Sequence, residues 1–277
     1  MLSYRQDEGA KMGTVFTHEL WYAPTERSCP LHVYLPEGYD DSDERYPVMY
    51  FFDGHNLFFD EMATFGKSWG LRDFLDRWEK PLIVVGMECN HEGDLRLHEY
   101  CPYRAHAFGS DIDGLGDETL RWIVDEVKPW ADATLRTWPH RAATGIGGSS
   151  MGGLMSLYAA IRYNDVFSKA ACVSPGLRFW GGFLRRDLRD VTRDGSLDPD
   201  TRIYLSWGEQ ESGRTRKGAD PSTESPESRA EADFIRRLDD AGVDTYRYFQ
   251  WGGSHNEASW EQQNGRYLDY LWRDIRW

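Results

Sequence analysis

This 277-residue chain predicts an α/β fold built on a mostly parallel sheet, and three observations carry that expectation. Short apolar runs without polar alternation recur along it, which is how strands covered on both faces read. Helix-period stretches lie between several of these runs. The segment Gly148-Ser149-Ser150-Met151-Gly152 sits between one such run and an apolar helical stretch. That is the layout of a sharp strand-to-helix turn that lifts a serine clear of a sheet, with glycines where a Cβ would strike the neighbouring strand and helix.

The elements follow in order. Val15–Ala23 and Leu31–Leu35 are rich in β-formers and are separated by Pro24, Ser28 and Pro30, so an antiparallel pair at a sheet edge is expected, preceded by an N-terminal extension over 1–14. Val48–Phe52, Leu82–Val85, Ala142–Ile146, Ala170–Val173 and Ile203–Leu205 predict buried strands three to seven, and Tyr246–Phe249 an eighth. Alternation with helices implies parallel strands joined by right-handed crossovers. In Asp117–Leu135 the residues Leu120, Ile123, Val124, Val127, Ala131 and Leu135 share one helical stripe, and another helix is expected near Ala230–Ala241. Ser212–Ser228, polar and rich in Ser, Arg, Glu, Gly and Pro, reads as a mobile insertion. With no repeat or linker, one domain over 1–277 is expected, its helices on both faces of an eight-stranded sheet.

Composition narrows the partners. The formal net charge of −14 repels phosphate backbones and anionic membrane surfaces, so neither nucleic acid nor a membrane is an expected partner. The start of the chain has no apolar leader and no segment approaches a membrane span, which gives a cytoplasmic expectation. Cys29, Cys89, Cys101 and Cys172 are widely spaced without C-x-x-C, so reduced, packed thiols are expected, with no metal site and no cofactor. Oligomeric state is left open.

G-x-S-x-G is common by chance in a chain with 27 glycines, so its setting must give it meaning. Ser150 follows the fifth strand, an acidic cluster at Glu209 and Glu211 the seventh, and Gly252-Gly253-Ser254-His255 the eighth. All three groups then fall at the C-terminal edge of a parallel sheet, where such folds bind ligands, in the chain order Ser, acid, His. A serine hydroxyl needs a base, and His255 in its glycine turn suits the role better than His91, His98, His106 or His140. Glu209, Glu211 and Asp220 all follow the seventh strand; Glu211, three residues past Gly208, is the chosen acid, holding the imidazole tautomer. The backbone N–H groups of Met151 and His55 are the expected oxyanion donors, with Gly54 allowing the turn in Phe52-Asp53-Gly54-His55. Trp69 and Trp180 are the aromatic residues expected to face the cleft, and Asp53 is expected to bind a substrate hydroxyl or cap its own loop. Arg96 and Glu99 are expected to pair with each other.

A resemblance rests on several motifs in order: Tyr46-Pro47-Val48-Met49-Tyr50-Phe51-Phe52-Asp53-Gly54-His55-Asn56-Leu57-Phe58, Arg96 with Glu99-Tyr100-Cys101-Pro102-Tyr103, Gly148-Ser149-Ser150-Met151-Gly152-Gly153, Ser174-Pro175, and His255-Asn256-Glu257-Ala258-Ser259-Trp260. Over roughly residues 15–272 the chain resembles the "Putative esterase" family of α/β-hydrolases. That family includes feruloyl and acetyl-xylan esterases of carbohydrate esterase family 1, enterochelin-type siderophore esterases, S-formylglutathione hydrolases and mycobacterial mycolyltransferases. The resemblance implies an α/β-hydrolase fold without a large lid domain, Ser150 as nucleophile, His255 as base, an acid at Glu211, and His55 and Met151 as oxyanion donors. The chain departs from the common pattern in carrying His55 where Gln is frequent and Glu in place of Asp as the acid. The expected function is serine ester hydrolysis through an acyl-enzyme, on a small sugar or plant-phenolic ester. A siderophore trilactone esterase, an acyltransferase and a catalytically silent binding protein are the alternatives.

Overall fold

In the computed structural model, described for residues 12–213 and 215–274, eight strands form a single sheet. They are β1 (Thr14–Tyr22), β2 (Arg27–Leu35), β3 (Val48–Phe52), β4 (Ile83–Met87), β5 (Thr144–Ser149), β6 (Lys169–Val173), β7 (Arg202–Gly208) and β8 (Asp244–Gln250). Their spatial order is β1-β2-β4-β3-β5-β6-β7-β8. β1 pairs antiparallel with β2 and β2 with β4, while every other pairing is parallel. The edge pair and all six later strands stand where the apolar runs predict them. Of the extension expected over 1–14, residues 1–11 lie outside the described residues.

Every residue of β3, β4, β5 and β6 is buried, which explains why these runs lack alternation. One apolar cluster packs on one face, with Tyr50, Val85, Ile146, Leu154 and Leu205 among its members; a second, with Met49, Phe51, Trp69, Tyr267 and Trp272, packs on the other. The stripe in Asp117–Leu135 forms as helices Gly116–Trp122 and Lys128–Thr134, joined through a π turn over Ile123–Val127. Leu120, Ile123, Val127, Ala131 and Leu135 are buried, while Val124 is only partly covered.

The segment 212–228 departs from expectation. Its second half is ordered into helices Pro221–Glu224 and Pro226–Asp240, so the long helix starts before Ala230 and ends at Asp240. Ser225, Glu227 and Ser228 are buried. The local signals for this are ordinary caps: the Asp220 side chain accepts from Ser222 N–H, Ser225 from Ser228 N–H, and each is followed by proline at the first helical position. Arg214 lies outside the described residues. A small hairpin, Ala105–Ala107 with Ser110–Ile112, brings Phe108 at its tip to within 5.7 Å, ring to ring, of Phe179. Among the described residues no helix is long and apolar enough to cross a membrane.

Candidate active site

Ser150 sits between β5 and the helix Met151–Arg162 with φ 57° and ψ −123°, a strained backbone for a non-glycine residue. Its neighbours make that turn possible. A Cβ on Gly148 would lie 2.8 Å from the Gly152 carbonyl carbon, and one on Gly152 would lie 2.9 Å from Phe52 Cβ. Ser150 N–H donates to the Val173 carbonyl at 2.9 Å, which ties the elbow to the end of β6.

His255 and Glu211 converge on this serine from the ends of β8 and β7. His255 Nε2 is 2.8 Å from Ser150 Oγ, and His255 Nδ1 is 2.7 Å from Glu211 Oε2. Glu211 Oε1 accepts from Gly208 N–H at 2.9 Å and from Ser174 Oγ–H at 2.8 Å. Trp260 completes the support: its Nε1–H donates to Ser174 Oγ, and its ring stands edge-on to the imidazole at 5.1 Å. A carboxylate with both oxygens engaged has one orientation toward the histidine, an arrangement that favours the tautomer with Nδ1–H and a bare Nε2 facing Ser150 Oγ. The rival carboxylates are engaged elsewhere: Glu209 accepts from Gly252 N–H and Asp220 caps its helix.

The N-terminus of the helix Met151–Arg162 faces the same space, and Met151 lines a cavity of about 300 Å³ that also contains Ser150 and His255. Phe108, Phe179, Trp180 and Trp207 give the cavity its aromatic wall, and Arg178, Gln210 and Glu227 its polar groups. Burial pushes the Glu227 carboxyl up despite Arg178 3.5 Å away, and its Oε1 has no hydrogen-bond partner among the described residues.

The turn after β3 lies beside the elbow, because Phe51 is in register with Gly147. Its left-handed residue is Asp53 (φ 57°); Gly54 is needed for a different reason, since a Cβ there would lie 2.3 Å from the Gly86 carbonyl oxygen. His55 occupies the short turn Gly54–Asn56 and is buried, its Nε2 2.9 Å from Thr64 Oγ1. It is not among the residues lining the cavity.

Three expectations need correction. Trp69 does not face the cleft: it is 2% exposed in the second core cluster, packed on Phe51, Trp260 and Tyr267, and reaches the site only by backing Trp260. Asp53 is buried with both oxygens bound by Arg96, at 2.7 Å from Nε and 2.6 Å from Nη2, so it has no oxygen aimed at a ligand. Arg96 therefore does not pair with Glu99, whose carboxylate instead meets Arg27 at 3.1 Å and Asn90 N–H at 2.9 Å. Ser174 and Trp260, both inside motifs that carry the resemblance, have supporting positions that local sequence does not disclose.

Comparison with known proteins agrees with this architecture. "Esterase Rv1288" of Mycobacterium tuberculosis is 29% identical over 157 residues, which are 55% of this chain and 31% of that protein. "Uncharacterized protein YbbA" of Bacillus subtilis is 26% identical over 183 residues, 65% of this chain and 67% of that one. Among solved structures, an IroE-like serine hydrolase from Shewanella oneidensis superposes with a TM-score of 0.71 at 19% identity, covering 95% of this chain and 82% of its own. Siderophore hydrolase EstA from Aspergillus nidulans gives 0.71 at 17% identity, covering 99% of both. These structural likenesses speak to the fold. The sequence model described as "Putative esterase" matches residues 23–264, most of the length, and the chain therefore belongs to the "Putative esterase" family of hydrolases.

Proposed function

We propose that this hydrolase is a serine esterase working through an acyl-enzyme, with esters of aromatic, plant-phenolic acids as its substrate class. The observation that supports it most is the unbroken line from Ser150 Oγ through His255 to Glu211, at 2.8 and 2.7 Å. In this reading Ser150 Oγ attacks the acyl carbonyl while His255 Nε2 takes its proton, forming a tetrahedral oxyanion. The N–H groups of Met151 and His55 hold that oxygen, Met151 with the positive end of its helix behind it. Collapse expels the alcohol, protonated by His255, and leaves the acyl group on Ser150. Water then attacks with the same base, and the acid departs.

The acyl preference rests on the aromatic wall of Phe179, Trp180 and Trp207 beside the serine. A ferric trilactone is the alternative substrate, and the formal charge of −14 works against binding such an anion. Hydrolysis of p-nitrophenyl acetate by the wild type and by Ser150→Ala tests the mechanism, together with labelling of Ser150 by a fluorophosphonate. Normal turnover in the variant refutes it. Parallel assays on methyl ferulate and a ferric enterobactin-type trilactone test the substrate class, and a preference of about tenfold, worth some 1.4 kcal/mol, decides between them.

A further inference from the structure

The parallel pairing of β3 with β4 sets Phe52 opposite Met87, so the turn after one strand and the loop after the other emerge side by side. His55 lies in the first; Cys89 and His91 lie in the second. One donor atom from each of these three residues falls within 4.8 Å of the other two. The two histidine rings meet edge to face at 4.5 Å.

The outer contacts of both histidines leave Nδ1 for an ion. Thr64 Oγ1 stands 2.9 Å from His55 Nε2, and the His55 Nδ1 atom, in a side chain of a residue only 5% exposed, has no hydrogen-bond partner among the described residues. Glu88 Oε1 stands 2.7 Å from His91 Nε2, the carboxylate–histidine arrangement that fixes a ligand's tautomer and raises its basicity. The second Glu88 oxygen is held by His32 Nε2 at 2.7 Å, so the carboxylate is itself oriented. Asp53 and Glu88 supply negative charge around the cluster, partly offset by Arg96.

We propose that His55, Cys89 and His91 form a binding site for a zinc-class divalent transition ion. Two imidazoles and one thiolate are the donors that borderline-soft ions such as Zn²⁺ select, and three protein ligands leave a fourth position for water. Tetrahedral ligands at about 2.0–2.3 Å stand roughly 3.3–3.8 Å apart, inside the 4.8 Å that encloses the present donor atoms, so binding draws the donors together. His91, half-exposed in its loop, supplies that movement. The Cys89 proton passes to solvent as its thiolate binds the ion. Ligation ties the turn holding His55 to the loop holding Cys89.

Equilibrium dialysis of the full chain against Zn²⁺, followed by metal analysis, tests this. One ion per chain is expected, with affinity at least about tenfold weaker in Cys89→Ser and in His91→Ala, and weaker by about 10–100-fold in Glu88→Gln. Co²⁺ in place of Zn²⁺ should give a thiolate charge-transfer absorption that Cys89→Ser lacks. Zinc should also raise the thermal midpoint of the wild type and not that of folded Cys89→Ser. Zinc retained equally by Cys89→Ser and His91→Ala, or a cobalt complex without thiolate absorption, overturns the assignment; so does no uptake by the wild type. None of these readouts depends on esterase activity.

Discussion

Glu211 binds His255 with one carboxylate oxygen, at 2.7 Å, while Gly208 N–H and Ser174 Oγ–H hold the other. Under the proposed mechanism, Glu211→Gln presents an amide that can donate to Nδ1 and so favours the wrong tautomer. The kcat for p-nitrophenyl acetate should fall by about 10³–10⁴-fold with KM little changed. Glu209→Gln should stay near wild type, because that side chain accepts from Gly252 N–H and has no hydrogen bond to His255 among the described residues. Steady-state kinetics of the two variants side by side check the assignment; the reverse ranking would transfer the acid role to Glu209.

Ser174 links Glu211 to Trp260 and so connects that carboxylate to the ring that flanks the His255 imidazole. Ser174→Ala removes a hydrogen bond to a charged group, worth about 1.5–3 kcal/mol. Activity should drop by roughly 10–100-fold, and the pH–rate profile should change shape as the histidine loses its fixed partner. Ser174 also has φ 50°, which alanine tolerates poorly, so unfolding midpoints must be measured beside the kinetics.

The strands are legible in the sequence because their runs are buried on both faces, and strand order then brings residues 150, 211 and 255 to one sheet edge. Side-chain direction is not legible in that way. Asp53, Arg96, Glu99 and Arg27 are four charges whose pairing depends on which loops meet after β3 and β4, and separation along the chain says nothing about it. Trp69 follows the loop after β3 and still turns into the core, since a large apolar ring gains more there than at an open rim. The helix starting at Pro226 is a different case: its Ser-Pro cap is visible in the sequence, and polar composition masks it.

Arg96 grips Asp53 through two hydrogen bonds in a buried setting. Burial alone would raise the Asp53 carboxyl, and the guanidinium outweighs it and holds the pKa below the usual range. Arg96→Ala strands that charge and should cost about 3–5 kcal/mol in denaturant unfolding. Asp53→Asn in the Arg96→Ala background should recover part of the loss. A direct substrate role for Asp53 would instead show as a raised KM with unchanged stability.

Trp180 is 3% exposed, touches Phe108 and Phe183, and lines the cavity beside Ser150. Trp180→Ala should lower kcat/KM for methyl ferulate by about 10–100-fold more than for p-nitrophenyl acetate, the equivalent of roughly 1.5–3 kcal/mol of ring contact. The ratio of the two substrates is the informative quantity, because a general loss of folded protein cancels from it. An unchanged ratio would remove the aromatic acyl assignment and leave the mechanism untouched.

Burial lowers His55 to about 4, and His91 and His32 act in the same direction against Asp53 and Glu88. The folded state therefore takes up this proton at lower pH than the unfolded chain, whose histidines titrate near about 6.5. Its contribution to stability is whole above about pH 6.5, declines as pH falls, and is spent below about pH 4, a span of about 3 kcal/mol. His55→Gln takes the proton away from both states while keeping a polar side chain at a buried position. In chelator, the wild type should lose stability between about pH 7 and about pH 4.5 by some 2–3 kcal/mol more than His55→Gln does. Comparing the two proteins at both pH values isolates the proton from any packing cost, which is the same at each. Parallel acid limbs would mean that His55 titrates alike in the folded and unfolded chains.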